Sequence, residues 1–246
     1  EEAVLTKTSV KAQIICSVDL GINTDAVCTI MRSDGTVLGR RFINFPSEKD
    51  RLYRTLGRIR RFQRAHGPAQ SRGRWAYTKR LNIELGRKIA GAIVNYAEES
   101  HADLIVFEHL EMHGKISGKK KQKLHLWRKQ DIQKRCGHKA HRKGMRISHV
   151  CAWNTSKLAY DGSGQVSRDP KNHSLCTFRT GKRYHCDLSA SYNIGARYFI
   201  RELLKPLPET ERSLLEAKVL PVKRRTSCVY ADLKELYLQM EVLKAA

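Results

Sequence analysis

The chain has 246 residues, with 47 Lys+Arg against 24 Asp+Glu and a formal net charge of +23. A hydrophobic share of 41% and only six prolines exclude a disordered or collagen-like chain. No apolar run approaches the roughly 20 residues of a membrane span, and so large an excess of cation points to a polyanionic partner, nucleic acid above all.

Gln13 to Leu20 is an apolar run closed by Gly21 and reads as a buried strand. Ala26 to Arg32 and Thr36 to Phe45 read as two more, joined by the hairpin signal Ser33-Asp34-Gly35. Pro46-Ser47 then punctuates the chain, and Ser47 with Asp50 predicts a capping-box helix start. Leu52, Leu56 and Ile59 recur at helical spacing behind a row of arginines, and Gly67-Pro68 ends that helix. A longer helix is predicted from about Arg74 to Ser100, with Leu81, Leu85, Ile89 and Ile93 on one stripe. Asp103 to Phe107 is a short apolar strand ending at Glu108, the basic stretch from Gly114 to Gly144 is helical in its middle, and Arg146 to Cys151 is a further strand. Tyr160 to Lys182, rich in Gly, Ser and Asp, reads as loop. A helix follows from near Asp187 to about Leu204, closed by Pro206 and Pro208, and two amphipathic stretches finish the chain. Meander, helix, strand, helix, strand, helix predicts an α/β fold on a mixed sheet.

The charge is concentrated. Arg51 to Arg80 holds ten Lys/Arg and no acid, and Lys115 to Arg146 holds thirteen against the single Asp131. Arg51, Arg54, Arg58, Arg60, Arg61, Arg64, Arg72 and Arg74 in the first window, and Lys119, Lys120 and Lys121 in the second, are the candidate nucleic-acid contacts. Tyr53, Phe62, Trp75, Tyr77 and Trp127 are interleaved with them, as rings that stack bases or pack the core. The seven cysteines are odd in number and irregularly spaced, follow no secretory signal, and read as small core residues of a reducing cytoplasm.

Two strands carry an acid where an apolar residue is expected. Asp19 follows Ile14-Ile15-Cys16-Ser17-Val18, and Glu108 follows Leu104-Ile105-Val106-Phe107. A buried carboxylate costs several kcal/mol unless it is paired or bound to a cation. Carboxylates gathered around Mg²⁺ are what phosphodiester hydrolysis by two metal ions requires. Each acid taken alone is equally a strand end reaching solvent, and Asp187, at the start of its helix, is equally a cap. His109 and Asn193 stand beside these acids in sequence, either as orienting groups or as surface and capping residues.

Ser17-Val18-Asp19-Leu20-Gly21-Ile22-Asn23, Val106-Phe107-Glu108-His109-Leu110 and Asp187-Leu188-Ser189-Ala190-Ser191-Tyr192-Asn193-Ile194 together resemble, in order and separation, the three motifs of the RuvC nuclease region of CRISPR type V effectors and TnpB-type nucleases. The resemblance covers roughly residues 12–200 and includes an Arg-rich helical segment between the first two motifs. It implies an RNase H-like fold in which Asp19, Glu108 and Asp187 are the catalytic, Mg²⁺-binding acids, with Mn²⁺ able to substitute. It also implies a guide RNA and target DNA as partners, no membrane, a prokaryotic cytoplasmic location, and a chain that is either the nuclease part of a longer effector or a compact relative. The core would comprise 1–112 and 145–205 with an Arg-rich helical insertion at 47–100. A basic helical insertion would occupy 113–144, a degenerate ribbon or loop 152–186, and a C-terminal helical extension 206–246.

Many relatives carry a zinc ribbon of two C-x-x-C pairs beginning shortly after a Thr-Ser. Counted from Thr155-Ser156 and back from Asp187, those positions here are Ala159, Gly162, Cys176 and Arg179. One thiolate cannot make four-coordinate zinc, and Cys151, Cys186, His173 and His185 match no standard spacing, so no zinc is expected and the loop should be poorly ordered or held by neighbouring parts. Two other functions remain open on the sequence. One is guide-directed DNA binding without target cleavage, the acids processing guide RNA or idle. The other is an actin-like ATPase, suggested by Val18-Asp19-Leu20-Gly21; its second phosphate turn has no closer counterpart than Asp161-Gly162-Ser163-Gly164.

Overall fold

The computed structural model describes residues 9–68, 71–109 and 129–245. Five strands form one mixed sheet: β1 (Ile14–Asp19), β2 (Ala26–Arg32), β3 (Val37–Ile43), β4 (Leu104–His109) and β5 (Arg146–Cys151), in the order β3-β2-β1-β4-β5. The opening meander is antiparallel, as its hairpin signals predict. β4 and β5 are parallel to β1 and to each other, because α2 (Arg72–Glu99) and α3 (Lys129–His141) precede them.

The central strands read as unbroken apolar runs because both faces of the sheet are covered. Their side chains still divide by the two-residue period. Cys16 and Val18 of β1 and Ile105 and Phe107 of β4 join a core with α1 (Pro46–His66), α2 and α3. Ile15, Leu104 and Val106 join a second core on the opposite face, built with α4 (Cys186–Leu204), α5 (Glu209–Lys218) and α6 (Tyr230–Ala245). The C-terminal stretches are therefore helical as predicted, and no helix among the described residues is long and apolar enough to cross a membrane.

Small residues bring α4 close to the sheet. A side chain on Gly195 would meet Ser17 Oγ at 3.0 Å and Met31 Sδ at 3.1 Å. Ser191 Oγ and Thr29 Oγ1 lie 2.6 Å apart in the same contact, a buried hydrogen bond between helix and strand. Further along α4, Arg197 is buried; its Nε donates to Cys228 O at 2.9 Å and its Nη1 to Cys151 O at 2.7 Å. One guanidinium thus ties the end of β5 to the segment entering α6.

Two sequence expectations need correction. α1 does not start on a Ser47 capping box: Phe45 is the N-cap, with Pro46 at the first helical position, where its missing N–H is no loss. Asp25 holds this helix start instead, accepting from Phe45 N at 2.7 Å and pairing with Lys49 at 3.2 Å. Nor is Tyr160 to Lys182 a loop. β6 (Ser167–Arg168), β7 (Leu175–Thr177) and β8 (Arg183–His185) form a three-stranded antiparallel sheet, its strands too short to show periodicity in the sequence.

Packed rings hold that small sheet in place. Tyr160 lies 5.5 Å from Phe178, 5.0 Å from Tyr184 and 5.2 Å from Tyr192 of α4, centroid to centroid, with Lys182 Nζ over the Tyr160 ring. Cys176 Sγ donates to Tyr184 O at 3.4 Å, and burial pushes the Cys176 thiol up to about 12. Cys151 lies outside this sheet, exposed at the end of β5.

Arg197→Ala strands the buried Cys228 carbonyl, frees the part-buried Cys151 carbonyl and leaves a cavity. It should lower stability by about 3 kcal/mol, read as a shift in the urea midpoint. An unchanged midpoint would show that the tie carries no weight.

Candidate active site

The alternation that fills the two cores also places the acids. Ile15, Ser17 and Asp19 face α4, as do Leu104, Val106 and Glu108. The parallel register pairs Val18 with Phe107, so Asp19 and Glu108 come one step later at the same level. Asp187 lies in the first turn of α4, and its Oδ2 is 3.4 Å from where a side chain on Gly21 would begin. The three acids predicted from the sequence therefore meet at the C-terminal edge of β1 and β4, on one face of the sheet. Asp19 is 6% exposed and Glu108 8%.

The charges interact. Burial raises the Asp19 carboxyl well above its usual range, and the neighbouring Glu108 and Asp187 raise it further. Burial likewise raises Asp187, against the opposing pull of His185, Arg168 and Lys129. Lys129, the first residue of α3, faces all three acids, and burial lowers its own ammonium. Arg168 of β6 is the second cation, acting on both Asp19 and Asp187. Thr155 Oγ1 donates to Glu108 Oε1, and Gln133 Nε2 of α3 donates to the Glu108 backbone carbonyl at 2.9 Å.

Lys129, Arg168 and Thr155 lie outside the set of site residues that the sequence predicts. Lys129 is one lysine in a basic run and Arg168 falls in an expected loop, so neither carries a local signal. Thr155 stands out in the sequence only as the marker of a ribbon. Asn193, readable from the sequence as an orienting group or as a surface or capping residue, is fully buried: its Nδ2 donates to Thr155 O and Leu158 O, both at 3.0 Å, and its Oδ1 accepts from Tyr230 N. It clamps the loop and does not face substrate. His109 is exposed at the end of β4, its ring 6.1 Å from that of His149.

Three hard carboxylates are the donor chemistry that Mg²⁺ or Mn²⁺ prefers, and a cation bound among them would oppose the burial and like charge that raise the Asp19 carboxyl. The donor set fits such an ion. As the side chains stand, no three His, Cys, Asp or Glu among the described residues close around a common point. The carboxylates would have to draw together to enclose one.

The first basic window lies on the surface. Arg51, Arg54, Arg58, Arg60, Arg61 and Arg64 of α1, and Arg72 and Arg74 of α2, are all exposed, while Leu52, Leu56 and Ile59 are buried beneath them. Tyr53, Trp75 and Tyr77 are exposed among them, whereas Phe62 is half-buried with the Arg74 guanidinium 4.2 Å above its ring. Arg51 Nη2 donates to Tyr77 Oη at 2.7 Å across the α1–α2 hairpin. Lys119, Lys120, Lys121 and Trp127 lie outside the described residues.

No family model matches the chain, and no curated protein does. Solved structures do. A chain of the Cas12f1–sgRNA–target DNA complex superposes with a TM-score of 0.55 at 18% identity, covering 74% of this chain and 49% of that one. A CRISPR–Cas12f ternary complex gives 0.53 at 17%, covering 76% and 39%. The mini-RNA-guided endonuclease CRISPR-Cas_phi3 gives 0.53 at 14%, covering 81% and 46%. At these identities the likeness is one of fold, and the chain spans half or less of the length of each.

Asp19→Asn removes the buried charge while keeping the shape. In EDTA this variant should be more stable than the parent by about 1 kcal/mol, since polar sites built for function commonly cost stability. A lower urea midpoint would contradict the reading of Asp19 as a carboxylate held for a cation.

Proposed function

We propose that this chain is the RuvC-type, RNase H-like nuclease region of an RNA-guided CRISPR type V effector. It would hydrolyse phosphodiester bonds in DNA selected by guide RNA. The observation that carries this reading is the convergence of Asp19, Glu108 and Asp187 from two parallel strands and a helix start. The fold likeness to RNA-guided endonucleases and the exposed arginine face of α1 support it.

In this reading Asp19, Glu108 and Asp187 hold Mg²⁺, or Mn²⁺ in its place. The bound metal would supply an activated water and charge stabilisation at the leaving oxygen. Thr155 fixes the orientation of Glu108 through its hydroxyl, and Gln133 fixes the strand from the backbone side. Lys129 and Arg168 bring positive charge to the place where a phosphate would lie, complementing a pentavalent transition state. The α1 and α2 arginines hold phosphate backbone and read no sequence, a task left to base pairing.

A second reading draws on one observation. Lys129 faces acids that do not close around a common point as they stand, an arrangement suited to guide-directed binding in which the site acts on guide RNA or stays idle.

Labelled target DNA and unprocessed guide RNA, offered in parallel with Mg²⁺ or Mn²⁺ to the full-length protein, separate the two. The nuclease reading expects DNA cleavage that Asp19→Ala abolishes while binding stays nearly intact. RNA cleavage alone, lost in the same variant, or tight binding with no cleavage, favours the second. Replacing Arg54, Arg58 and Arg61 by Gln should weaken binding and flatten its salt dependence by about one unit of slope for each phosphate no longer neutralised. An unchanged slope would place the backbone path elsewhere.

A further inference from the structure

The segment between β5 and the small sheet carries more than Thr155. The chain turns at Ala152-Trp153-Asn154-Thr155, where Thr155 N–H donates to Ala152 O at 3.4 Å. Asn154 adopts φ +54°, a left-handed conformation that Asn tolerates better than most residues. Trp153 therefore stands at a turn corner and is 57% exposed.

This turn is held from beneath. Buried Asn193 donates to the carbonyls of Thr155 and Leu158, and the Thr155 hydroxyl is committed to Glu108. Lys157 N and Leu158 N both donate to Asn154 O at 3.1 Å. An exposed indole on so braced a turn loses little freedom when it binds something flat. Arg168 Nη2 donates to Ser156 O at 3.4 Å on the same turn, and its charge acts on Asp19 and Asp187. Trp153 and Thr155 are two residues apart, so their Cα atoms are within about 7 Å. One short stretch thus carries a flat apolar surface, a contact to a candidate catalytic acid, and a neighbouring guanidinium.

We propose that Trp153 and Arg168 form a nucleobase subsite flanking the acid cluster. Trp153 stacks the base next to the phosphodiester held at the acids, and Arg168 takes that nucleotide's phosphate. The proposal rests on reading the cluster as a site for a nucleic-acid strand. Stacking on indole suits such a site because every base offers a π face, so the strand is positioned whatever its sequence. Trp153 is thereby a positioning residue and carries no chemistry of its own.

Single strands of DNA and of RNA, carrying 2-aminopurine at successive positions, test this with the full-length protein bearing Asp19→Asn to block cleavage. Fluorescence should be quenched at one or two adjoining positions in at least one strand type, and which type responds identifies the strand the subsite takes. Trp153→Ala should abolish that quench and weaken binding about tenfold, while Trp153→Phe keeps most of both. The melting temperature should stay put in both variants, since the side chain is exposed. Quenching and affinity unchanged in Trp153→Ala, or Trp153→Phe no better than Trp153→Ala, would overturn the subsite. Cleavage by the parent protein is scored separately. A protein that never cuts yet shows the Trp153-dependent quench refutes the nuclease reading alone, and one that cuts without it refutes only the subsite.

Discussion

The parallel pairing of β1 with β4 governs this molecule. In that register Val18 stands opposite Phe107, so the next residues, Asp19 and Glu108, emerge side by side at the strands' C-terminal edge. The two-residue period turns both toward α4, whose first turn supplies Asp187. Slipping either strand by one residue would send its acid into the opposite core, among Phe107, Ile105 and the helices α1 to α3. The same register fills both cores, so the packing that stabilises the sheet also enforces the convergence of charge.

Burial and convergence have an electrostatic cost: burial raises both Asp19 and Asp187, and Glu108 and Asp187 raise Asp19 further. Two cations offset part of it from different elements: Lys129 arrives with α3, which packs one face of the sheet, and Arg168 arrives with the small sheet beside the other. The site is thus closed by parts distant in sequence that share no local motif. Its rigidity comes from apolar and small residues, as in the approach of Gly195 to Ser17 and Met31 that brings α4 down onto the strands. Outside, the same economy appears in α1, one of whose faces packs Leu52, Leu56 and Ile59 while the other displays arginine.

Between β5 and α4, where the sequence reads as a degenerate ribbon or loop, the chain uses aromatic packing. Tyr160, Phe178, Tyr184, Tyr192 and Tyr230 stack in one cluster, and Tyr230 Oη reaches the Gly35 carbonyl in the β2–β3 turn at 2.5 Å. Rings drawn from the small sheet, α4 and α6 join three elements at once. This explains how strands of two and three residues persist, since such strands bury too little by themselves. The sheet matters to the site because it delivers Arg168 and leads directly into Asp187.

Local pattern determined a good deal. The alternation and hairpin signals of residues 14–43, the helical stripe of Leu85, Ile89 and Ile93, and the acids misplaced at the ends of apolar strands are properties of neighbouring residues, legible wherever the period runs for several turns or strands. Which acids face one another, which lysine of a basic run reaches them, and whether Thr155 serves a ribbon or Glu108 are properties of residues 21 to 168 positions apart along the chain. No local period encodes a contact of that range. It exists only once β4 has been set beside β1 and α4 across them, and that arrangement was decided by the burial of two cores on the two faces of one sheet.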